Sequence, residues 1–214
     1  MRLGLFGGTF NPIHYGHLRA AEEAVEILQL QRLLFIPAAR PPHKNTKTVT
    51  PFAIRLAMTR LAVAEIPHFD VSDIENQRPE KSYSIETLRL FRRQFGPEVE
   101  IFFIVGLDAM LEIDTWKDYQ DLFTLSHFFV LDRPGYDPCD LERILRRKVD
   151  PQGVYQADTR VFQHSSGNCI YFRPTTHLDI SSSRIRLLAS RGQSLRFLLP
   201  EEVRRFILDN KVYG

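Results

Sequence analysis

Short apolar runs along the chain alternate with longer segments in which apolar residues recur every three or four positions. The runs predict buried strands over Arg2 to Phe6, Leu33 to Ile36, Phe69 to Val71, Val99 to Val105, Leu125 to Leu131 and Cys169 to Phe172. The periodic segments predict helices over Gly16 to Leu28, Phe52 to Ala64, Ser84 to Phe95 and Leu141 to Val149, with a terminal helix opened by Pro200. Residues 38–51 are proline-rich and basic and residues 72–83 are polar and irregular, so we expect loops there.

This alternation of strands and helices predicts an α/β fold. The run from Val99 to Val105 is apolar at nearly every position, which is typical of a central parallel strand covered on both faces. We therefore expect a mostly parallel sheet with right-handed crossovers and helices on both faces. The length of 214 residues favours one domain, 1–214, with the C-terminal helices of about residues 181–214 packed as a small subdomain.

Composition narrows the class of protein. Hydrophobic residues make up 43% and charged residues 25%, as in an ordinary water-soluble globular protein. With 28 Lys and Arg against 26 Asp and Glu, the formal charge of +2 gives no reason to expect nucleic acid or a membrane as partner. The most apolar stretch, Ile101 to Ile113, is shorter than the roughly 20 residues that cross a bilayer. The first apolar run is soon broken by Gly, Asn and Pro, so no signal peptide is expected.

The cysteine content indicates a reducing compartment. Cys139 and Cys169 are the two cysteines and form no C-x-x-C motif, so neither a disulfide framework nor a thiolate metal site is indicated. A cytoplasmic location fits this pattern best. A homo-oligomer is compatible with the sequence, which does not specify the oligomeric state.

The first candidate site follows the first predicted strand, where open parallel sheets bind their ligands. Gly7 and Gly8 allow close approach of the backbone, and His14 and His17 stand at the mouth of the next helix. Helix-start N–H groups attract anions and imidazoles add donors, so the arrangement predicts a phosphate site. It matches neither the Walker loop nor the G-x-G-x-x-G fingerprint, and two histidines alone make a poor zinc site. The alternative is that both histidines cap the helix and pack.

A second polar cluster lies at residues 176–186. Ser181 or Ser182 is a good helix N-cap, which places Ser183, Arg184 and Arg186 in the first helical turn. Cations there oppose the helix dipole at about 0.3–1 kcal/mol each, so a bound anion would explain them. The alternative is a capped helix with solvated arginines.

The sequence resembles the nucleotidyltransferase superfamily that carries H-x-G-H, here residues 14–17, together with a Ser-Ser-x-x-Ile-Arg-like motif, here residues 181–186. Within it, the chain is similar to nicotinate-nucleotide adenylyltransferases. The segments GGTFNPIHYGHL, IPAARPPHK, SYSIETL, FFIVGLDAM, Trp116 and ISSSRIR occur in the expected order. Four positions depart mildly from the residues usual in this family. Asn11 stands where Asp is frequent, Ser84 and Ser183 stand where Thr is usual, and Leu107 stands where a small residue is commoner.

The resemblance implies a Rossmann-like fold and transfer of the adenylyl group of ATP to nicotinate mononucleotide, with Mg²⁺ carried by ATP and no metal-binding residue in the protein. The residues it assigns to ATP are Gly7, Gly8, Thr9, Phe10, His14, His17, Ile180, Ser183 and Arg186, of which His14, His17 and Arg186 act in catalysis. Those it assigns to the mononucleotide are Lys44, Ser84, Thr87, Gly106, Asp108 and Trp116.

Other interpretations stay open. The alternative role for Lys44 is that of a solvated loop residue, for Asp108 that of a helix N-cap, and for Trp116 that of a core residue. The alternative functions are an adenylyltransferase for another phosphorylated acceptor, such as the amide mononucleotide or phosphopantetheine, and a nucleotide-binding regulator without turnover. The hydroxyls of Ser84 and Thr87 suit a carboxylate, which predicts preference for the acid mononucleotide over the amide.

Overall fold

The computed structural model describes residues 1–42, 49–132 and 138–214. Its strands are β1 (Arg2–Gly8), β2 (Arg32–Pro37), β3 (Phe69–Val71), β4 (Glu100–Gly106), β5 (His127–Asp132), β6 (Val154–Gln156), β7 (Val161–Gln163) and β8 (Cys169–Pro174). Its helices are α1 (Tyr15–Leu28), α2 (Phe52–Val63), α3 (Ser84–Phe95), α4 (Leu107–Leu111), α5 (Tyr119–Leu125), α6 (Pro138–Lys148), α7 (Ser182–Ser190) and α8 (Glu201–Asp209). None of the described helices is long and apolar enough to cross a membrane.

The strands form one eight-stranded sheet in the order β3-β2-β1-β4-β5-β8-β7-β6. Every pair from β3 to β8 is parallel, which confirms the predicted α/β fold with a mostly parallel sheet. The antiparallel strands β6 and β7 at one edge were not predicted. The order reverses between β1 and β4, because the chain continues from β1 towards one edge and from β4 towards the other. Such a switch opens a crevice at the carboxyl ends of the two strands.

Both faces of the sheet are covered, as the central strand shows. Along β4, Ile101, Phe103 and Val105 enter one core cluster, while Phe102 and Ile104 enter the other. The first cluster includes residues of α3 and α5, and the second includes residues of α1, α2, α7 and α8. This arrangement confirms helices on both faces. The C-terminal subdomain stays a prediction.

Several element boundaries differ from those expected. The strand predicted from Leu125 begins at His127, because Leu125 is the last residue of α5. Helices α4 and α5 were not predicted, and a short 3-10 helix over Ile74–Gln77 interrupts the segment expected to be irregular. Leu61, one of the apolar residues in the helical pattern of α2, is exposed.

Candidate functional site

A cavity of about 370 Å³ lies in the crevice between β1 and β4. Its wall is formed by Gly7, Gly8 and Thr9 at the end of β1, by Gly106 at the end of β4, by the start of α3 and by the turn that carries Trp116. The predicted mononucleotide residues Ser84, Thr87, Gly106 and Trp116 therefore converge on one cavity.

The start of α3 gives this cavity an end suited to an anion. Tyr83 is the N-cap of α3, and its carbonyl accepts from the N–H groups of Glu86 and Thr87. The first N–H groups of a helix lack intrahelical acceptors, and the dipole places partial positive charge there. Ser84 adds a hydroxyl at the cavity wall. A ligand carboxylate is favoured at this end.

Two aromatic side chains, Trp116 and Tyr83, form another part of the wall. Trp116 is half-buried and also packs against the first core cluster, so packing and cavity lining both apply to it. Lys117 Nζ lies 5.3 Å from the Tyr83 ring centroid and donates to Glu86 Oε1 at 2.8 Å. That bond with Lys117 lowers the pKa of Glu86. Glu86 is thus an ionised carboxylate already paired with a cation.

Beside the cavity, Arg78, Thr87 and Glu75 form a row of hydrogen bonds that sequence reasoning missed. Arg78 Nη2 donates to Thr87 Oγ1 at 3.1 Å, and Thr87 Oγ1 donates to Glu75 Oε1 at 2.8 Å. Thr87 is 1% exposed and Glu75 is 7% exposed, and both line the cavity. The Thr87 hydroxyl hydrogen is therefore directed to Glu75, so it is not available to a substrate carboxylate while this bond holds. Glu75 Oε2 has no hydrogen-bond partner among the described residues.

A second cavity of about 180 Å³ lies beside the first and is mostly polar. Thr9 belongs to the walls of both cavities. The remaining lining residues of the smaller cavity are Phe10, Asn11, His17, Val49, Ser182, Ser183 and Arg186. The two motifs at opposite ends of the sequence thus meet at one cavity.

The two histidines stack but differ in exposure. Their ring centroids are 3.7 Å apart at an interplanar angle of 31°. The backbone N–H of His14 donates to His17 Nδ1 at 3.3 Å, so in neutral His17 the proton lies on Nε2. His17 lines the smaller cavity, whereas His14 is 6% exposed and burial lowers its pKa to about 4. At neutral pH His14 is therefore uncharged, and Nδ1 of its ring is buried without a partner among the described residues.

The glycine between the histidines makes room for the His14 ring. A Cβ at Gly16 would lie 3.0 Å from His14 Nδ1 and 3.1 Å from His14 Cε1, with the Leu178 carbonyl oxygen at 3.6 Å. The first two distances are shorter than ordinary carbon contacts. A larger residue at this position would therefore displace the ring.

The start of α7 supplies the other side of the smaller cavity. Ser181 is the N-cap, as expected, and its Oγ accepts from the Arg184 N–H at 3.2 Å. Arg186 Nη1 donates to the Asn11 carbonyl at 2.8 Å, and Nη2 lies 3.4 Å from Ser183 Oγ. These contacts hold the Arg186 guanidinium against the loop after β1, at the wall of the smaller cavity.

A buried arginine, Arg55 on α2, also fixes the loop after β1, and sequence reasoning missed it. It is 1% exposed and donates to three carbonyls: Thr9 at 2.7 Å, Ala38 at 2.7 Å and Thr50 at 2.8 Å. Burial lowers the pKa of Arg55, but guanidinium groups stay protonated in proteins. Arg55 therefore ties the residue shared by both cavities to the end of β2 and to the segment before α2.

Some predicted site residues lie elsewhere. Asp108 is exposed in the first turn of α4 and is not among the described residues lining the larger cavity. Ile180 packs against the second core cluster and is not among the described residues lining the smaller one. Gly7 and Gly8, predicted for ATP, line the larger cavity. Lys44 falls outside the described residues.

The chain is similar to known proteins in both sequence and fold. The family model described as cytidylyltransferase-like matches residues 5–188. A Geobacter metallireducens protein named "Probable nicotinate-nucleotide adenylyltransferase" is 45% identical over 213 residues, covering 100% of this chain and 98% of its own. A Syntrophotalea carbinolica protein of the same name is 46% identical over 214 residues, covering 100% of this chain and 97% of its own.

A solved structure shares the fold at lower identity. Plasmodium falciparum nicotinic acid mononucleotide adenylyltransferase complexed with NaAD superposes with a TM-score of 0.75 at 18% identity. The match covers 99% of this chain and 97% of that one.

Proposed function

Since the chain belongs to the cytidylyltransferase-like family, we propose that it transfers the adenylyl group of ATP to nicotinate mononucleotide. The products are nicotinate adenine dinucleotide and pyrophosphate, so the reaction is a step of NAD biosynthesis. The observation that carries this proposal is the pair of cavities that share Thr9 at the switch point of the sheet. One cavity suits a flat ring with a carboxylate, and the other suits phosphates. The relatives of the same name support this choice of substrates.

The chemistry needs no nucleophile from the protein. A phosphate oxygen of the mononucleotide attacks the α-phosphorus of ATP, and the bond from that phosphorus to the bridging oxygen of the β-phosphate breaks. Pyrophosphate leaves with the electron pair. The task of the protein is to hold both phosphates in line next to Thr9 and to stabilise the charge that develops on the oxygens.

The smaller cavity supplies the donors for that charge. His17 presents Nε2–H, Arg186 carries a permanent positive charge, and Ser183 adds a hydroxyl at the start of α7. His14 is buried beside His17 and acts through it, by holding the His17 ring in place. The catalytic role inferred for His14 from the sequence is thus proposed as a positioning role.

Mg²⁺ fits this proposal as an ion that arrives on the phosphates of ATP. It prefers oxygen ligands such as carboxylates, and the described residues lining the smaller cavity include no Asp or Glu. When bound with ATP, Mg²⁺ would neutralise part of the charge on the phosphate oxygens. The protein residues contact the remaining oxygens.

The proposal includes a preference for the acid over the amide mononucleotide. The helix start at Ser84 favours a carboxylate, and the nearest acceptor to it in sequence, Glu86, is already bonded to Lys117. The enzyme is proposed to act in the cytoplasm on these two nucleotides, without nucleic acid or a membrane.

Pyrophosphate release from ATP tests the function. We expect release with nicotinate mononucleotide, with kcat/KM at least tenfold lower for the amide mononucleotide and no release with phosphopantetheine or without acceptor. Equal or better kcat/KM with the amide would overturn the assignment of the acid. No release with any acceptor would indicate a nucleotide-binding regulator.

Variants of the smaller cavity test the assigned donors. His17→Ala and Arg186→Ala should each lower kcat about 10²–10³-fold, the usual effect of removing one transition-state donor. Arg191→Ala is the matched control, because Arg191 is exposed just after α7 and is not among the described lining residues. If folded His17→Ala kept the wild-type kcat, the role of His17 would be wrong.

A further inference from the structure

Glu75, which lines the larger cavity, has one carboxylate oxygen that is buried and without a hydrogen-bond partner among the described residues. Glu75 is more than nine-tenths buried, and its Oε1 accepts a hydrogen bond from the Thr87 hydroxyl. Oε2 has no partner among the described residues. A buried polar atom left without a partner costs free energy, so a ligand that stabilises this oxygen would offset the cost.

The hydrogen bonds around Glu75 define its electrostatic character. The guanidinium of Arg78 donates to Thr87, and Thr87 donates to Glu75 Oε1, so Glu75 is the acceptor at the end of this row of hydrogen bonds. Arg78 bonds to Thr87 and not to the carboxylate itself, and Arg55 interacts with Glu75 electrostatically without donating to it. Glu75 lines the cavity, so its carboxylate places negative charge at the cavity wall.

Part of the cavity wall suits a flat cation. Trp116 lines the same cavity and aromatic faces attract cations, whereas the Tyr83 ring already has Lys117 Nζ at 5.3 Å from its centroid. The start of α3, in contrast, favours an anion. One cavity thus carries a site for positive charge on a ring and a site for negative charge on a carboxylate.

We propose that Glu75 is a specificity-determining residue that recognises the positive charge of a pyridinium ring. The inference rests on the proposed function, because the ring nitrogen of a pyridine mononucleotide is bonded to ribose and the ring is therefore cationic. Nicotinate mononucleotide carries this positive ring and a carboxylate side by side. Glu75 interacts with the positive ring, and the start of α3 interacts with the carboxylate.

A pair of ligands isolates the ring charge. Nicotinate mononucleotide and its 1,4-dihydro form share ribose, phosphate and carboxylate, but the reduced ring is neutral. The dissociation constants of both ligands are measured by titration calorimetry, and their ratio, reduced over oxidised, is the readout. We expect the wild-type dissociation constant for the oxidised form to be lower than that for the reduced form by about tenfold or more. A tenfold difference corresponds to about 1.4 kcal/mol.

Two substitutions separate charge recognition from a structural role. Glu75→Gln keeps an oxygen that accepts from Thr87 but removes the charge, so the ratio should fall about tenfold. Thr87→Val removes the same hydrogen bond and leaves the charge, so the ratio should stay near the wild-type value even if both affinities drop. A role limited to holding Thr87 predicts equal ratios in the two variants.

The outcomes are distinct. An unchanged ratio in Glu75→Gln, as expected if Glu75 accepts only from a ribose hydroxyl, overturns the proposal. If Glu75→Gln does not fold, the wild-type ratio decides, and equal affinity for the two ligands overturns it. Failure of the wild-type protein to bind or turn over nicotinate mononucleotide overturns the proposed function first, whatever the ratio.

Discussion

At the scale of single residues, His14 and His17 show how burial assigns different tasks to two identical side chains. The rings stack, yet one lines the smaller cavity and the other is almost fully buried. A buried imidazole resists protonation because the charged form loses its hydration. This property makes His14 a titratable contributor to stability.

The stability of the protein should depend on the titration of His14. Burial lowers its pKa from 6.5 to about 4. Between these values the unfolded chain binds a proton that the folded chain does not, so the free energy of unfolding falls as pH falls from 6.5 to 4. The contribution is about 3 kcal/mol, from about 1.36 kcal/mol per pKa unit. Above pH 6.5 His14 adds no pH dependence.

The comparison of wild type with His14→Asn measures this contribution, because His14 is the N-cap residue of α1 and asparagine is a good N-cap that does not titrate. Urea melts at pH 7.5, 5.5 and 4.5 should show the wild type losing more stability than the variant. Parallel losses in both proteins would contradict the assignment of the low pKa to His14.

Trp116 permits a second prediction at this scale. If it stacks on the pyridine ring, Trp116→Ala should raise KM for the mononucleotide roughly 5- to 150-fold, since such stacking is worth about 1–3 kcal/mol. The contact is nearly the same before and during transfer, so kcat and the KM for ATP should change little. Two-substrate kinetics measure this split. A destabilised variant with unaltered mononucleotide KM would instead assign Trp116 to the core.

At the residue scale, the sequence motifs point to His17, Ser183 and Arg186, which come from opposite ends of the chain and lie at one cavity in the structure. Their roles in binding ATP stay predictions. Sequence reasoning missed Glu75 and Arg55, because their tasks depend on partners distant in sequence and not on spacing. Arg55 sits in a helix whose pattern gives no sign of a buried charge, and Glu75 lies in a segment without any periodicity.

At the scale of elements, the start of α1 depends on close packing between a glycine and a histidine. Gly16→Ala should lower kcat, because the added Cβ would meet the His14 ring at 3.0 Å and displace the stacked His17. In an unobstructed helix the same substitution usually stabilises by about 0.4–1 kcal/mol. Steady-state kinetics and urea melts of one variant measure both effects. A more stable enzyme with wild-type kcat would show that the ring tolerates the contact.

The elements that the sequence predicted are those with long apolar patterns. The parallel strands β1, β2, β4, β5 and β8 and most of the helices belong to this group. The strand β3 was also predicted, although it has only three residues. The hairpin of β6 and β7 was missed because β6 has no buried residue and β7 has one, so neither leaves an apolar run in the sequence. Helices α4 and α5 are too short for the helical period to be evident. Their structure comes from packing against β4 and α3 and not from local pattern.

At the scale of the whole molecule, Arg55 connects elements that face both cavities. Arg55→Lys should lower the free energy of unfolding by about 3 kcal/mol or more, because a single ammonium cannot reach three separate carbonyls and each buried unpaired group costs about 1–3 kcal/mol. The KM values for both substrates should also rise, since Thr9 lies between the cavities. Urea melts and two-substrate kinetics measure these effects.

Arg92→Lys is the matched control for this substitution. Arg92 also donates to backbone carbonyls, those of Val99 and Leu125, but it is not among the described residues lining either cavity. The Arg92→Lys variant should be less stable than the wild type, with both KM values unchanged. Equal effects of the two substitutions on KM would show that Arg55 acts on overall stability alone.

The Tyr213 hydroxyl donates to Asn11 Oδ1 at 3.0 Å, and burial raises the pKa of this tyrosine to about 12. The loop after β1, which contributes Asn11 to the wall of the smaller cavity, is thus held by a residue synthesised some 200 positions later. During translation, the crevice between β1 and β4 has its strands once residue 106 has emerged from the ribosome, whereas the neighbouring cavity still lacks Ser183, Arg186 and the Tyr213 contact. On the ribosome, the described residues that line the larger cavity, of which Lys117 is the last, are therefore all synthesised before Ser182, Ser183 and Arg186 of the smaller cavity.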